Sequence, residues 1–242
     1  MIDKDMKFIF IQAPKTGTTS IARWLAENHH SYGDTNLYRK HVRARDWASV
    51  LDPDVFDNAF KFMFVRNPWD RLVSDYHYLF RLAVNPPARL KDRPHTRASN
   101  SLFTDHKISN FTDFVNYIID NIESEVIFPV VYLKKSMFSN YACRYTPSDR
   151  RGPVVVDQIG RFESLQSDFD EICEKLEIPC GILPHDNSAI THARRLGLSA
   201  RKEWQSYYTD DTFSKIAEFY VDDINRFGYE HNLEKRFPTS LS

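Results

Sequence analysis

The sequence predicts an α/β fold in which helices flank a central, mainly parallel sheet. Two strand–loop–helix units support this prediction, because such units build parallel sheets with helices packed on them. The 242 residues are 42% hydrophobic and 27% charged, which is typical of a globular protein with a sizeable core. Only seven glycines accompany twelve prolines, so a barrel or sandwich with many tight turns is disfavoured.

The first unit lies near the start of the chain. The apolar, β-prone run at residues 8–11 predicts a strand that ends before Ala13 and Pro14. A helix is expected next, because the following residues show the i, i+3, i+4, i+7 spacing of one helix face. These residues are Ile21, Trp24, Leu25 and Asn28.

The second unit begins with another apolar run, at residues 60–65, which predicts a second strand. Asn67 then suits the N-cap of a helix, and Pro68 suits its first position. One face of this helix is expected to carry Leu72, Tyr76, Leu79 and Phe80. The unit therefore repeats the order of the first.

Residues 81–107 lack periodicity and accumulate prolines and basic residues, so they are predicted to be a loop or insertion and a candidate lid. We expect one domain over residues 1–242, with this insertion at about residues 82–110. The basic residues of this segment include Arg81, Arg89, Lys91, Arg93 and Arg97. The remaining predicted elements are a helix at 111–122, a strand at 154–156, a helix at 165–176 and a helix at 212–227 that stops at Gly228.

Charge and composition exclude several classes of protein. The 32 basic and 33 acidic residues give a net charge of −1, so no general attraction to nucleic acid or to an anionic membrane is expected. No apolar run is long enough to span a bilayer, and the acidic first residues do not resemble a secretory signal. Cys143, Cys173 and Cys180 form no CxxC pair and suit the free thiols of a reducing compartment. We expect a cytoplasmic protein.

The loop at residues 13–20 has the composition of an anion site. It places one cation, Lys15, and several hydroxyl groups at the start of a helix, where backbone N–H groups and the helix dipole favour negative charge. A capped turn rich in serine and threonine is the alternative interpretation. The loop is not a GxxxxGK[ST] phosphate loop, because Lys15 precedes Gly17, the one glycine in the loop, instead of following a second glycine.

A second anion site is predicted where the second strand ends. Arg66 directly follows this strand, at the carboxyl edge where open α/β sheets bind ligands. Ser74 lies two helical turns further on and is expected to point toward the same group. A structural ion pair is the alternative role for Arg66.

Together these two loops resemble the cofactor sites of sulfotransferases that use 3′-phosphoadenosine 5′-phosphosulfate (PAPS). In that family a Pro-Lys-x-Gly-[ST]-[ST]-[ST] loop binds the 5′-phosphosulfate, and an arginine and a later serine hold the 3′-phosphate. The resemblance gives the first role to Lys15, Thr16, Gly17, Thr18, Thr19 and Ser20. It gives the second role to Arg66 and Ser74, and it implies a P-loop-like, three-layer fold.

Two further features resemble the carbohydrate O-sulfotransferases of sulfotransferase family 2. One is the Gly-Arg-Phe-Glu sequence at residues 160–163, ahead of a helix. The other is a set of aromatic groups near the end of the chain, Tyr207-Tyr208, Phe219-Tyr220 and Phe227-Gly228-Tyr229. The resemblance implies that the acceptor is a hydroxyl group of a carbohydrate. Residues 82–150 carry no matching motif.

His41 lies between the two anion loops and is the candidate catalytic base. Its His-Val sequence is similar to that of carbohydrate 2-O-sulfotransferases, which carry a catalytic base there. A hydroxyl is a poor nucleophile until a group such as imidazole takes its proton. A histidine with a surface or hydrogen-bonding role is the alternative, and His185 and His192 are the reserve candidates.

The expected reaction is in-line transfer of a sulfuryl group from PAPS to the acceptor. His41 would deprotonate the acceptor hydroxyl, and Lys15 would stabilise the charge that develops on the leaving oxygen. No metal is expected, because the sequence has no clustered His, Cys or Asp ligands. Trp69, Trp204 and Phe162 are available to stack on adenine or sugar, although core positions are the expected role for such aromatics.

Two alternative functions remain open at this stage. A nucleotide-dependent kinase with a divergent phosphate loop would require Mg²⁺ and an acidic residue at a strand end. A non-catalytic protein of the same fold would bind a glycan or nucleotide without turnover.

Overall fold

A computed structural model describes residues 1–29, 41–121, 137–142, 153–184 and 202–236. The strands in these ranges are β1 (Phe8–Ile11), β2 (Phe60–Val65) and β3 (Gln158–Arg161). The helices are α1 (Thr18–His29), α2 (Ala44–Val50), α3 (Pro53–Asn58), α4 (Pro68–Val84), α5 (Pro94–Thr104), α6 (Phe111–Asn121), α7 (Met137–Ala142), α8 (Leu165–Lys175), α9 (Asp210–Phe219), α10 (Val221–Phe227) and α11 (His231–Arg236). Three short 3₁₀ helices of the same described ranges span Ala88–Leu90, Phe162–Ser164 and Trp204–Tyr207.

The three strands of the described ranges form one parallel sheet in the order β1-β2-β3. Phe10 pairs with Phe62 across the first ladder, and Met63 pairs with Ile159 across the second. Parallel strands end at the same edge of a sheet, so the loops after β1, β2 and β3 leave from one edge. The predicted α/β class with a parallel sheet flanked by helices is confirmed.

The chain divides into two compact units, which we describe separately. The first contains residues 1–66 and 138–200, and therefore the whole sheet. The second contains residues 67–137 and 201–242 and is helical in its described part. The single-domain organisation expected for residues 1–242 stays a prediction.

The first compact unit, residues 1–66 and 138–200, has an aromatic core on one face of its sheet. The Phe10 and Phe62 rings stack with centroids 4.8 Å apart, because in-register parallel strands bring equivalent side chains together. Helices α1 and α8 cover this face, and the edge of the Trp24 ring meets Phe169 at 5.2 Å. The buried cluster comprises Phe8, Phe10, Ile21, Trp24, Leu25, Phe62, Phe64, Phe169, Ile172, Cys173 and Leu183.

The second compact unit, residues 67–137 and 201–242, is organised around the N-terminal end of α4. The Asn67 side chain accepts hydrogen bonds from the backbone N–H groups of Trp69 and Asp70, at 3.0 and 3.2 Å, which confirms the predicted N-cap. Trp69 is fully buried, stacks on Phe213 at 4.5 Å and donates from Nε1 to the Phe213 carbonyl oxygen at 3.1 Å. Trp69 is therefore a core residue, as expected for such aromatics.

Most of the segment predicted as a loop or insertion at residues 81–107 is helical, so the predicted loop was wrong, whereas the insertion and the lid stay predictions. Helix α4 continues to Val84, and α5 occupies Pro94–Thr104 with Pro94 in its first turn. The buried face of α5 carries Thr96, Ser99 and Leu102, so its helical spacing is built mainly from hydroxyl residues. An apolar periodicity could not reveal such a helix.

The strand predicted at residues 154–156 instead lies at Gln158–Arg161. This strand has few apolar residues, and of its four positions only Gly160 is buried. A Cβ at Gly160 would overlap the Phe64 ring, so the glycine lets β3 approach β2 closely. The feature that distinguishes β3 is therefore the glycine that allows close approach to β2, and not a run of hydrophobic residues.

The helix predicted at residues 212–227 is interrupted at Tyr220, which separates α9 from α10. Gly228 ends α10 in the left-handed conformation, with φ of 70°, as predicted. None of the helices in the described ranges has the length and hydropathy needed to cross a bilayer. Cys173 is a buried free thiol and Cys180 an exposed one, whereas Cys143 lies outside the described residues.

Candidate functional site

The loop between β1 and α1 has a backbone shaped to bind an anion. Lys15 and Gly17 both adopt left-handed conformations, with φ of 66° and 78°. The carbonyl oxygen of Gly17 accepts from the N–H groups of Ser20 and Ile21, at 3.0 and 3.3 Å, and so begins α1. The N–H groups at the start of a helix have no intrahelical acceptor, and left-handed turns beside them form concave anion sites.

The loop packs against the junction of β3 and α8. A Cβ at Gly17 would lie 2.8 Å from Leu165 Cδ2 and 3.4 Å from the Phe162 ring. Glycine is therefore favoured at this position by its left-handed conformation, and a Cβ here would also require the Leu165 side chain to move. No pattern in the sequence predicted that Leu165 packs against this loop.

Arg66, the residue that follows the central strand β2, contacts the same loop. Its side chain is 5% exposed, and its Nη1 donates to the carbonyl oxygen of Lys15 at 3.0 Å. Its guanidinium carbon lies 3.9 Å from the centroid of the Phe162 ring, which is a close cation–π contact. The structure thus joins Arg66 and Lys15 in one site, and Phe162 contributes to that site from the 3₁₀ helix that follows β3.

His41 contacts the residue that begins the loop. Its Nδ1 lies 2.9 Å from the backbone carbonyl oxygen of Gln12, 29 residues away in the sequence. A carbonyl oxygen only accepts, so Nδ1 carries the hydrogen of this bond, and in the neutral ring Nε2 carries the lone pair. This geometry suits a general base.

The segment that follows His41 is fixed at the start of α2. The Asp46 carboxylate accepts from the Arg43 backbone N–H at 3.1 Å and from Arg43 Nε at 2.7 Å. Partial burial alone would raise the pKa of Asp46, but these hydrogen bonds and the nearby arginine charges lower it overall. The carboxylate therefore stays ionised and anchors the short segment that carries His41.

A comparison with protein families supports what this geometry indicates. A family model described as the sulfotransferase family matches residues 1–230. The chain belongs to the sulfotransferase family. No curated protein and no solved structure matches it.

The hydroxyl residues of the sulfotransferase loop divide into two groups. Thr16 is fully buried and donates from Oγ1 to the Ala13 carbonyl oxygen at 2.9 Å, so its side chain holds the loop together. Thr18 is also buried, whereas Thr19 is exposed and Ser20 partly exposed. Thr19 and Ser20 are therefore the loop hydroxyls best placed to reach a ligand, and Thr16 and Thr18 have backbone N–H groups to offer.

The remaining predicted site residues are Ser74, His185 and His192. Ser74 lies in the second turn of α4 and is partly exposed, and its partnership with Arg66 stays a prediction. His185 and His192 lie outside the described residues. In the described part of the sulfotransferase, no three His, Cys, Asp or Glu side chains are grouped to hold a metal ion.

Gly17→Ala tests the shape of the sulfotransferase loop. Alanine at this left-handed position should cost about 1–2 kcal/mol of unfolding free energy, and the displaced N–H groups should weaken binding of adenosine 3′,5′-bisphosphate. Chemical denaturation and calorimetric titration would measure the two effects. Lys4→Ala is the control because it changes an exposed side chain outside the loop. Wild-type affinity in the Gly17→Ala variant would contradict the role given to the loop.

Proposed function

We propose that this sulfotransferase transfers a sulfuryl group from PAPS to a hydroxyl group of a carbohydrate. The observation that carries the proposal is the hydrogen bond between His41 Nδ1 and the Gln12 carbonyl oxygen, which holds a base at the start of an anion-binding loop. Sulfotransferases generally use PAPS as the donor. The carbohydrate acceptor rests on the resemblance of residues 160–163 and the aromatic pairs to the carbohydrate branch.

The residues of the loop fit the phosphosulfate end of PAPS. The Lys15 ammonium and the N–H groups at the start of α1 supply positive charge and donors, and the left-handed turns give the loop its concave backbone. Arg66 donates to the Lys15 carbonyl oxygen and so helps to hold the backbone of the loop. Arg66 and Ser74 are assigned to the 3′-phosphate by the resemblance. PAPS supplies an activated sulfuryl group and a stable leaving group, so the protein must mainly orient the reactants and move one proton.

His41 moves that proton in the proposed mechanism. Its Nδ1–H bond to Gln12 fixes the tautomer, so the lone pair that would accept the proton of the substrate hydroxyl lies on Nε2. The protonated ring still donates from Nδ1 to Gln12, so it can accept the proton without breaking the contact that orients it. Lys15 places a positive charge where negative charge increases during transfer.

Nucleotide selectivity tests the donor. Adenosine 3′,5′-bisphosphate should bind on the order of ten- to a hundredfold more tightly than adenosine 5′-phosphate, because the 3′-phosphate makes charge-assisted contacts. Isothermal titration calorimetry with and without a chelator would measure both affinities. Equal affinities would overturn the assignment of the 3′-phosphate contacts. Binding of ATP with Mg²⁺ in preference to the bisphosphate would favour the kinase alternative.

A further inference from the structure

The chain turns back along helix α8 after that helix ends. The returning segment comprises residues 178–183. At its start the Ile178 N–H donates to the Cys173 carbonyl oxygen at 3.0 Å, and at its end the Leu183 N–H donates to Gln166 Oε1 at 2.9 Å. Cys173 lies near the C-terminal end of α8, and Gln166 lies near its N-terminal end. The returning segment therefore runs antiparallel to α8 and in contact with it.

Two thiols meet where the returning segment passes the middle of α8. Cys180 Sγ donates to the carbonyl oxygen of Asp170 at 3.5 Å. Asp170 lies one helical turn before Cys173, and helical side chains lean toward the N-terminus, so the Cys173 side chain leans over the turn that Cys180 contacts. The Cys180 thiol interacts directly with the Cys173 thiol there. The fold thus brings together two cysteines that the sequence does not show as a pair.

The two thiols differ in access and in reactivity. Cys180 is exposed, whereas Cys173 is 0% exposed and belongs to the core of the first compact unit. Burial, and after it the neighbouring Cys180, raises the pKa of Cys173 to about 12, so at neutral pH this group is almost wholly the thiol. The thiolate is the nucleophile in cysteine chemistry, and oxidant-sensitive thiols are accessible ones beside a second thiol that resolves them. Cys180 therefore meets an oxidant first, and Cys173 is its resolving partner.

We propose that Cys180 and Cys173 form a redox-sensitive modification site, which hydrogen peroxide converts to a disulfide. The Cys180 sulfur attacks one peroxide oxygen, the O–O bond breaks, and Cys180 becomes a sulfenic acid while the other oxygen leaves as water. The Cys173 sulfur then attacks the Cys180 sulfur, the S–O bond breaks, and the hydroxyl group leaves with the Cys173 proton as a second water. Two thiols are oxidised, and one peroxide is reduced to two waters. The site is independent of the sulfuryl transfer proposed above.

A variant without the third cysteine isolates the pair. Cys143→Ser leaves Cys173 and Cys180 as the two cysteines of the chain. The variant is treated briefly with an equimolar amount of hydrogen peroxide, and its thiols are then titrated in denaturant, because Cys173 is buried in the folded protein. The matched control adds Cys180→Ser, which changes an exposed side chain. Thermal unfolding checks that both variants are folded.

Tryptic digestion shows which cysteines are joined. Trypsin cleaves after Lys175, between the two cysteines, so peptides 162–175 and 176–194 stay together only where a disulfide links them. The peptides are separated by chromatography without a reductant and identified by mass spectrometry.

The site is supported if peroxide removes both thiols of Cys143→Ser, lowers its intact mass by two hydrogens and leaves the two peptides joined, and if dithiothreitol reverses these changes. The control should keep its Cys173 thiol, because the buried group does not meet peroxide itself. Retention of both thiols in Cys143→Ser would overturn the site. Oxygen addition at Cys180 without joined peptides, or a covalent dimer linked through Cys180, would overturn the pairing. Equal loss of the Cys173 thiol in the control would contradict the role of Cys180 as the first thiol to react.

Discussion

His41→Asn is expected to lower turnover by about 10² to 10⁴ while leaving the affinity for adenosine 3′,5′-bisphosphate nearly unchanged. Asparagine is the informative replacement because His41 has a left-handed backbone, with φ of 67°, which asparagine tolerates well. Its amide nitrogen can also donate to the Gln12 carbonyl oxygen, as Nδ1 does. The variant therefore removes the base while preserving the donor and the backbone.

Initial rates and calorimetric affinities would separate binding from chemistry in this variant. His41→Ala should lose at least as much activity as His41→Asn, since it lacks both the base and the donor. The wild-type rate should fall as the pH is lowered, because a protonated imidazole cannot accept the substrate proton, and this fall should be absent in the residual rate of His41→Asn. Full activity in His41→Asn would remove His41 from the mechanism and leave His185 and His192 as the candidates.

Lys15→Ala is expected to lower turnover by about 10² to 10³, and to do so more than it lowers nucleotide affinity. The ammonium group meets charge that is larger in the transition state than in the bound substrate, so its loss should affect kcat most. The hydrogen bond from Arg66 to the backbone carbonyl oxygen of Lys15 does not involve the Lys15 side chain, so the variant keeps it. Alanine also has no greater difficulty than lysine with the left-handed backbone at this position.

Two further variants complete the test of Lys15. Lys15→Arg keeps a positive charge and should retain more activity than Lys15→Ala. Lys4→Ala removes an exposed lysine near β1 and should behave as the wild-type protein does. Single-turnover rates and dissociation constants would be compared across the series. A loss confined to affinity would make Lys15 a binding residue and not a catalytic one.

The strand–loop–helix units of this fold follow from local sequence. The runs that became β1 and β2 are wholly or almost wholly buried, so hydrophobicity alone identifies them. Asn67 and Pro68 mark the start of α4 by chemistry that acts within a few residues. The anion loop was likewise identifiable, because Lys15 and Gly17 are its local signature.

The features that sequence reasoning missed depend on contacts between distant residues. His41 bonds a backbone carbonyl of Gln12, and a backbone group leaves no pattern in the sequence. Leu165 and Gly160 matter through close approach to Gly17 and to Phe64, which only the folded chain reveals. Helix α5 buries hydroxyl residues such as Thr96 and Ser99, so a search for apolar periodicity passes over it.

Sulfuryl transfer itself is the most direct test of the account. The protein is incubated with radiolabelled PAPS and a set of neutral, uronate-containing and sulfated saccharides, with His41→Asn in parallel. We expect label on at least one saccharide class, matched by equal formation of adenosine 3′,5′-bisphosphate, at a rate about 10² or more above that of His41→Asn. A protein that binds the bisphosphate but labels every saccharide no faster than His41→Asn would contradict the proposed function and favour a non-catalytic binding protein.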